Sequence, residues 1–406
     1  MSSPLTLSPA PQIPSPAPPM TDGFSTPSQL PRVAKRVLLV FDGGDAPGYA
    51  TVAVALTEEG SRRGYEMWAA TEGLRSLTSD RTSQPAYERL IVGRGERYAL
   101  LAQGIPARSM GRRVLDAGSD FRSERYRGFR DRSRRVEAAE DFARQGFTHL
   151  ICIGGDGTFA ATKAWREELG LQVPVGFINV SIDNDLTGDR AIGFATGVEA
   201  GAGVARGLLE DAYTHKRIYL LEMMGNRSGR HALHCGVAAR AHLVVLPGFQ
   251  FPDAVIAELA AALAKVDYAL VVVAEGYELE KRKRLATTPS ASEFLRGQLE
   301  RGGLRDGPQK RVIAEPFSRH LRGVRPAYAE VSAAYLKASL LMDAFDAGRS
   351  GIMPYVLAAH DAGLRDFADV RSHHGVEPAF MPLLERLGLP LFRRHVSEHF
   401  VVGGHG

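Results

Sequence analysis

The sequence predicts an α/β protein, two Rossmann-like lobes with mainly parallel sheets and a cleft between them. Short apolar runs recur at 37–41, 65–70, 149–153, 173–180, 218–224, 243–246, 269–274 and 312–314. Amphipathic stretches of helical length lie between them, at 49–63, 158–169, 196–213, 252–265 and 328–347. Several runs end in glycine-rich turns, so the alternation is that of βαβ units, whose parallel strands are covered on both faces. With 406 residues, 44% of them hydrophobic and 24% charged, the chain is long enough for two such lobes. A cleft between α/β lobes is the usual place for a small ligand.

Outside that alternation the chain reads differently. Residues 1–31 carry nine prolines among Ser, Thr and Ala, too little apolar surface to offset chain entropy, and predict a disordered tail. Met20 within it is an alternative start. A charged, glycine-containing stretch at 278–309 reads as a surface excursion. The last segment, 350–406, holds His360, His373, His374, His395, His399 and His405 without a metal-site spacing, so these are read as structural or surface residues.

Composition excludes several classes. Cys152 and Cys235 are the only cysteines, which points to a reducing compartment and away from a structural zinc or a disulfide framework. No run approaches a membrane-spanning length, and the N-terminus lacks a basic start followed by an apolar core, so neither a membrane span nor secretion is expected. The 50 basic and 46 acidic residues leave +4, which does not call for nucleic acid. The 42 arginines are dense between Arg108 and Arg135, interleaved with Asp116, Asp120, Glu124 and Asp131. That stretch is either a salt-bridged solvent face or a patch for small anions such as phosphates.

Chemistry concentrates in three strand-end loops. The first, Gly43-Gly44-Asp45-Ala46-Pro47-Gly48, precedes a helix, where backbone N–H groups and the helix N-terminus favour phosphate, although glycines there also serve plain turns. The second, Gly154-Gly155-Asp156-Gly157-Thr158, places a carboxylate inside an anion cradle. Such a carboxylate repels a polyphosphate unless a hard cation lies between them, which implies Mg²⁺; the simpler alternative is Asp156 as a helix N-cap. The third, Ser181-Ile182-Asp183-Asn184-Asp185, sends two carboxylates to one side of an extended strand end, one to take a proton from a hydroxyl, the other to organise the loop or metal shell. An Asx-turn is the plainer alternative. Donor cradle, cation and base together are what a phosphoryl transferase needs.

These residues resemble the phosphofructokinase family, in family order from about Lys35 to Gly348, with further matches at His215-Lys216-Arg217, Glu222-Met223-Met224-Gly225, Ala274-Glu275-Gly276 and the basic cluster from Arg319 to Arg322. The resemblance implies a kinase of glycolysis, cytoplasmic, moving the γ-phosphoryl of ATP to the 1-hydroxyl of fructose 6-phosphate. It implies a nucleotide-binding lobe at about 32–180, a sugar-phosphate-binding lobe at about 181–349 with chain crossovers, and 350–406 packing on the lobes. Gly44, Arg122, Gly155, Asp156, Gly157 and Thr158 would hold the nucleotide, with Asp156 on Mg²⁺. Asp183 would be the base, with Ser181 where the family has threonine. Ser181, Ile182, Asp183, Arg217, Met224, Gly225, Asn226, Glu275, Arg319, His320 and Arg322 would meet the sugar phosphate. Because the arginine matching Arg217 crosses a subunit boundary in the family, a homodimer or homotetramer is implied.

Pyrophosphate-using members carry an aspartate where Gly157 stands and a lysine where Val180 stands, so ATP is the expected donor. Other positions depart from the family. Asn226 replaces an arginine aimed at the phosphoryl group, Phe121 stands at a nucleotide-contacting arginine with Arg122 beside it, and Arg319 stands at the sugar-binding histidine with His320 beside it. Val54 and Glu58 replace effector-site arginines. These departures keep open a pyrophosphate-dependent or altered-substrate sugar-phosphate kinase, and a catalytically weak binding or regulatory homologue.

Overall fold

The computed structural model describes residues 34–376 apart from 171, 172, 226, 309, 318 and 359, together with 380 and 382. The predicted tail at 1–31, Asn226, His395, His399 and His405 lie outside the described residues. The elements run β1 (Arg36–Phe41), α1 (Tyr49–Arg62), β2 (Glu66–Ala70), β3 (Tyr87–Ile91), α2 (Arg94–Ala102), β4 (Ala107–Ser109), α3 (Arg132–Arg144), β5 (His149–Gly154), α4 (Asp156–Leu169) and β6 (Val175–Asn179). They continue with α5 (Phe194–His215), β7 (Arg217–Met223), α6 (Arg230–Ala239), β8 (Leu243–Val245), α7 (Asp253–Lys265), β9 (Ala269–Ala274), α8 (Leu279–Arg282), α9 (Ala291–Arg301), β10 (Arg311–Phe317), α10 (Tyr328–Asp346), β11 (Ile352–Ala358) and β12 (Asp361–Asp366).

Two sheets result, both within the compact unit that begins at Lys35. The larger has eight strands in the order β12-β11-β6-β5-β1-β2-β3-β4, and the smaller has four in the order β10-β7-β9-β8. All named pairs are parallel except β2 with β3 and β11 with β12. The strands β1, β5, β6 and β9 are apolar at nearly every position because both faces are covered, and each is buried almost throughout. None of the described helices is long and apolar enough to cross a membrane. Cys152 and Cys235 are both buried and unbridged.

Register decides where the loops emerge. Phe41 is level with Ile153 across β1 and β5, and Gly154 is level with Asn179 across β5 and β6. The turns that follow therefore leave the sheet side by side at its carboxyl edge. The chain passes from β1 to β2 on one side while β5 lies on the other, so this edge is also a topological switch point, where α/β sheets bind ligands.

The stretch 278–309 is not a surface excursion: α9 lies within it and buries Ala291, Phe294, Leu295 and Leu299, packing against α7, β7 and β10. A capping box between Ser290 and Glu293 starts this helix. The segment from 350 onward supplies β11 and β12, with Ile352 pairing with Gly176 of β6, so it extends the large sheet. Helix α10 packs on α1 and β11, on the large sheet's side.

Candidate active site

The first two loops are built into each other. Thr158 Oγ1 donates to the Asp42 carbonyl at 2.9 Å, and Asp42 N donates to Ile153 O at 3.0 Å. A Cβ on Gly154 would stand 2.4 Å from the Asp42 carbonyl oxygen and 2.5 Å from Thr158 Oγ1, so only glycine lets these strand ends close. Gly48 is left-handed at φ 99° and caps α1. The N-cap of α4 is Gly155, not Asp156; Asp156 is the first helical residue and its carboxylate is not used as a cap. It meets the C-terminal segment instead, accepting a hydrogen bond from Ser372 Oγ and lying 3.6 Å from His374 Nε2.

Side chains other than the two aspartates close the third loop. Asp183 N donates to Ser181 Oγ at 3.0 Å, and Ala191 N donates to Asn184 Oδ1 at 2.8 Å, with Asn184 itself left-handed. Arg230 Nη1 donates to the Asn184 carbonyl. The plain Asx-turn reading of Asp183 is thus not what holds the turn. Asp185 is only 7% exposed, and among the described residues its Oδ1 has no hydrogen-bond partner.

One cavity of about 570 Å³ collects the three loops. Of the residues the sequence singled out, Gly44, Gly155, Asp156, Gly157, Thr158, Ser181, Ile182, Asp183 and Arg322 line it. Arg322 Nη1 donates to the Asp45 carbonyl and lies 2.9 Å from where a Gly44 Cβ would be, with Arg125 Nη2 3.4 Å from the same point. Two guanidinium groups therefore flank the first glycine loop, a ready counter-charge for phosphate.

The remaining expected residues that are described do not line this cavity. Arg122 is largely solvent-exposed and donates to Ser83 Oγ at 3.3 Å. Arg217 is held by Asp211 at 2.9 Å, beside Tyr219. Met224 is buried in the core, Gly225 accepts from Ser228, and Glu275 directly follows β9 with its N–H on the Met223 carbonyl at 2.8 Å. Arg319 and His320 are exposed, His320 stacking on Phe317 at 5.0 Å.

Sequence reasoning missed Asp42, Arg125, Arg127, Arg130, Arg135 and His374, all of which line the cavity. The arginines come from the dense basic stretch, whose phosphate alternative was the available signal. Phe129, packed edge-on against the fully buried Trp165 at 5.3 Å, anchors that stretch over the cavity. His374, read from spacing as a structural or surface residue, is exposed, and its side chain is brought to Asp156.

Electrostatics follow from burial and crowding of acids. Burial pushes the Asp42 carboxyl up to about 7. Asp185 is also raised to about 7, first by burial and then by the neighbouring charges of Asp183 and Asp156. Asp183 is raised by burial, while Arg322 and Arg125 oppose the shift. A carboxylate lifted towards neutrality beside a phosphate cradle is suited to accepting a proton from an alcohol.

The family profile for phosphofructokinase matches residues 36–336, which spans all three loops. The chain belongs to the phosphofructokinase family. The ATP-dependent 6-phosphofructokinase of Aquifex aeolicus is 30% identical over 60% of this chain and 70% of its own length. That of Coxiella burnetii is 26% identical over 82% of this chain and 95% of its own. Among solved structures, phosphofructokinase from Saccharomyces cerevisiae superposes with a TM-score of 0.64 at 19% identity, covering 82% of this chain and 45% of that one. A pyrophosphate-dependent phosphofructokinase from Marinobacter aquaeolei gives 0.64 at 16% identity, covering 87% and 91%. At those identities the structures show a shared fold.

Proposed function

We propose that this protein is an ATP-dependent 6-phosphofructokinase, the activity named for its relatives, transferring the γ-phosphoryl of ATP to the 1-hydroxyl of fructose 6-phosphate. The observation that carries it is that Asp156 and Asp183, from different strand ends, line one cavity together with both glycine loops and Arg322. Asp183 takes the hydroxyl proton as the sugar oxygen attacks; the bond to the γ-phosphorus forms, its bond to the β-bridging oxygen breaks, and ADP leaves. Ser181 orders the loop that presents Asp183 and is placed to hydrogen-bond the acceptor.

Gly44 and the backbone from Gly155 to Thr158 cradle the phosphates at the start of α4, with Arg125 and Arg322 neutralising charge that builds in the transition state. Asp156 and Asp185 suit Mg²⁺, since both are carboxylates and the buried Asp185 Oδ1 lacks a partner among the described residues. When bound, the ion would screen the phosphate oxygens from these acids and polarise the γ-phosphoryl. Nothing lies within 4 Å of a Cβ built on Gly157, leaving the loop open to a nucleotide, which favours ATP over pyrophosphate.

Arg217, outside this cavity, is assigned to the sugar 6-phosphate of a neighbouring subunit in a cytoplasmic homodimer or homotetramer. The deciding assay incubates the purified protein with fructose 6-phosphate and either ATP or pyrophosphate, detecting the bisphosphate product. Product with ATP alone is expected. Product only with pyrophosphate, or only with another sugar phosphate, would replace this donor or acceptor, and binding without turnover would make the protein a non-catalytic relative.

A further inference from the structure

The residues from Arg371 to His374 lie past the family-matched span yet are fastened to the catalytic loop. Thr187 N donates to Arg371 O at 2.9 Å, Arg371 N donates to Thr187 Oγ1 at 3.0 Å, and His373 N donates to Asp185 O at 2.7 Å. Leu186 and Ser372 form an antiparallel bridge. This pairing delivers the His374 side chain to the Asp156 carboxylate of the phosphate cradle. One ligand atom from each of Asp156, Asp185 and His374 lies within 4.8 Å of the others.

Ligands bound at ~2.0–2.3 Å to one ion stand at most ~4.6 Å apart, so a small side-chain adjustment lets all three meet a single cation. The need for one is visible in Asp185, buried to 7% exposure with Oδ1 unpartnered among the described residues and facing a second carboxylate. Ser372 Oγ, donating to Asp156 Oδ1, fixes the orientation of that carboxylate from behind.

We propose that Asp156, Asp185 and His374 form one divalent-cation site of mixed oxygen and nitrogen ligation, and that the imidazole shifts its preference from Mg²⁺ towards Mn²⁺. This rests on the assignment of Asp156 to the catalytic cation and names the ion that the site selects. Mg²⁺ holds oxygen ligands and water, whereas Mn²⁺ accepts carboxylate and imidazole alike and binds nitrogen more tightly than Mg²⁺ does. The imidazole comes from outside the family-matched span, so the preference belongs to this chain's C-terminal pairing.

The test uses the full chain without nucleotide, titrated with Mn²⁺ and followed by electron paramagnetic resonance, with Mg²⁺ added as competitor. The wild type is expected to bind one Mn²⁺ more tightly than Mg²⁺, with electron spin-echo modulation from a directly bonded ¹⁴N. His374→Ala is expected to lose roughly tenfold or more in Mn²⁺ affinity, to lose the nitrogen modulation, and to keep its Mg²⁺ affinity. His374→Gln, which retains the side-chain bulk and an oxygen donor, is expected to lose the modulation as well. Absence of ¹⁴N coupling in the wild type, unchanged Mn²⁺ affinity in His374→Ala, or no Mn²⁺ binding at millimolar concentration overturns the proposal. None of these readouts involves turnover, so a failure of the kinase assignment shows separately, as absent sugar bisphosphate with every cation tried.

Discussion

The Lys337 ammonium lies 2.6 Å from the Asp189 carboxylate, and neither side chain is exposed. Lys337 also donates to the Arg190 carbonyl at 2.9 Å, and Val356 N donates to Asp189 at 3.0 Å. One buried pair therefore joins α10, β11 and the chain leaving the catalytic loop. Lys337→Met strands a carboxylate in the interior and is expected to cost about 3–5 kcal/mol in urea unfolding. The double replacement Lys337→Met/Asp189→Leu is expected to regain a large part of that loss, because it removes the stranded charge.

Gly154→Ala drives a methyl group into the Asp42 carbonyl. A loss of ~1–3 kcal/mol in stability is expected from overpacking, accompanied by a raised KM for ATP as β1 and β5 part. An alanine variant with wild-type stability and KM would show that the two loops are not held in mutual contact.

Asp183→Asn keeps the shape of the third loop, because Ser181 and Asn184 hold its turn. Turnover is expected to fall by ~10²–10⁴-fold with KM for the sugar phosphate little changed. Steady-state kinetics check this, and a kcat equal to wild type removes Asp183 as the base.

The cavity separates Arg125 from Arg122, three positions earlier in the chain. Arg125→Ala is expected to lower kcat by ~10²–10³-fold through the lost positioned charge. Arg122→Ala, at a side chain facing solvent, is expected to leave kcat and KM unchanged. The reverse pattern would place the working guanidinium at Arg122.

Burial holds two histidines neutral, His149 and His231, each lowered to about 4. An unfolded histidine binds its proton near pH 6.5, so between that value and 4 the unfolded chain carries more protons than the folded one. These two histidines therefore lower stability as the pH drops through this window, each with a slope of up to ~1.4 kcal/mol per pH unit, while Asp42 and Asp185, raised to about 7, act in the opposite sense. Unfolding free energies of wild type and His149→Gln measured from pH 7 to 4 isolate this contribution: the stability of the variant relative to wild type is expected to rise as the pH falls.

The parts of this protein that were legible in sequence are those whose signal is local. β1, β5 and β6 are apolar on both faces, and the glycines and carboxylates of the three loops follow them directly, so strands and chemistry could be read together. Edge elements gave no such signal. β12 reads DAGLRD, β11 contains Pro354, and α3 buries only Ala138, Asp141 and Phe142. Helix α9 did carry a readable mark, the Ser290 to Glu293 capping box, overshadowed by the charge around it. Arg125 showed only as one of many crowded arginines, and His374 gave no signal at all. Each reaches the cavity through tertiary packing, the first by the Phe129 anchor and the second by pairing with the catalytic loop, and neither contact has a sequence signature.

The late position of β11, β12 and the pairing at Ser372 has a consequence for synthesis. A nascent chain that has emerged only through α10 already owns both glycine loops, but the flank of β6 is bare and Asp185 has no imidazole opposite it. Stopping short of β11 thus leaves β6 as an open edge with unpaired backbone groups, and leaves out the pairing that brings His374 to Asp156.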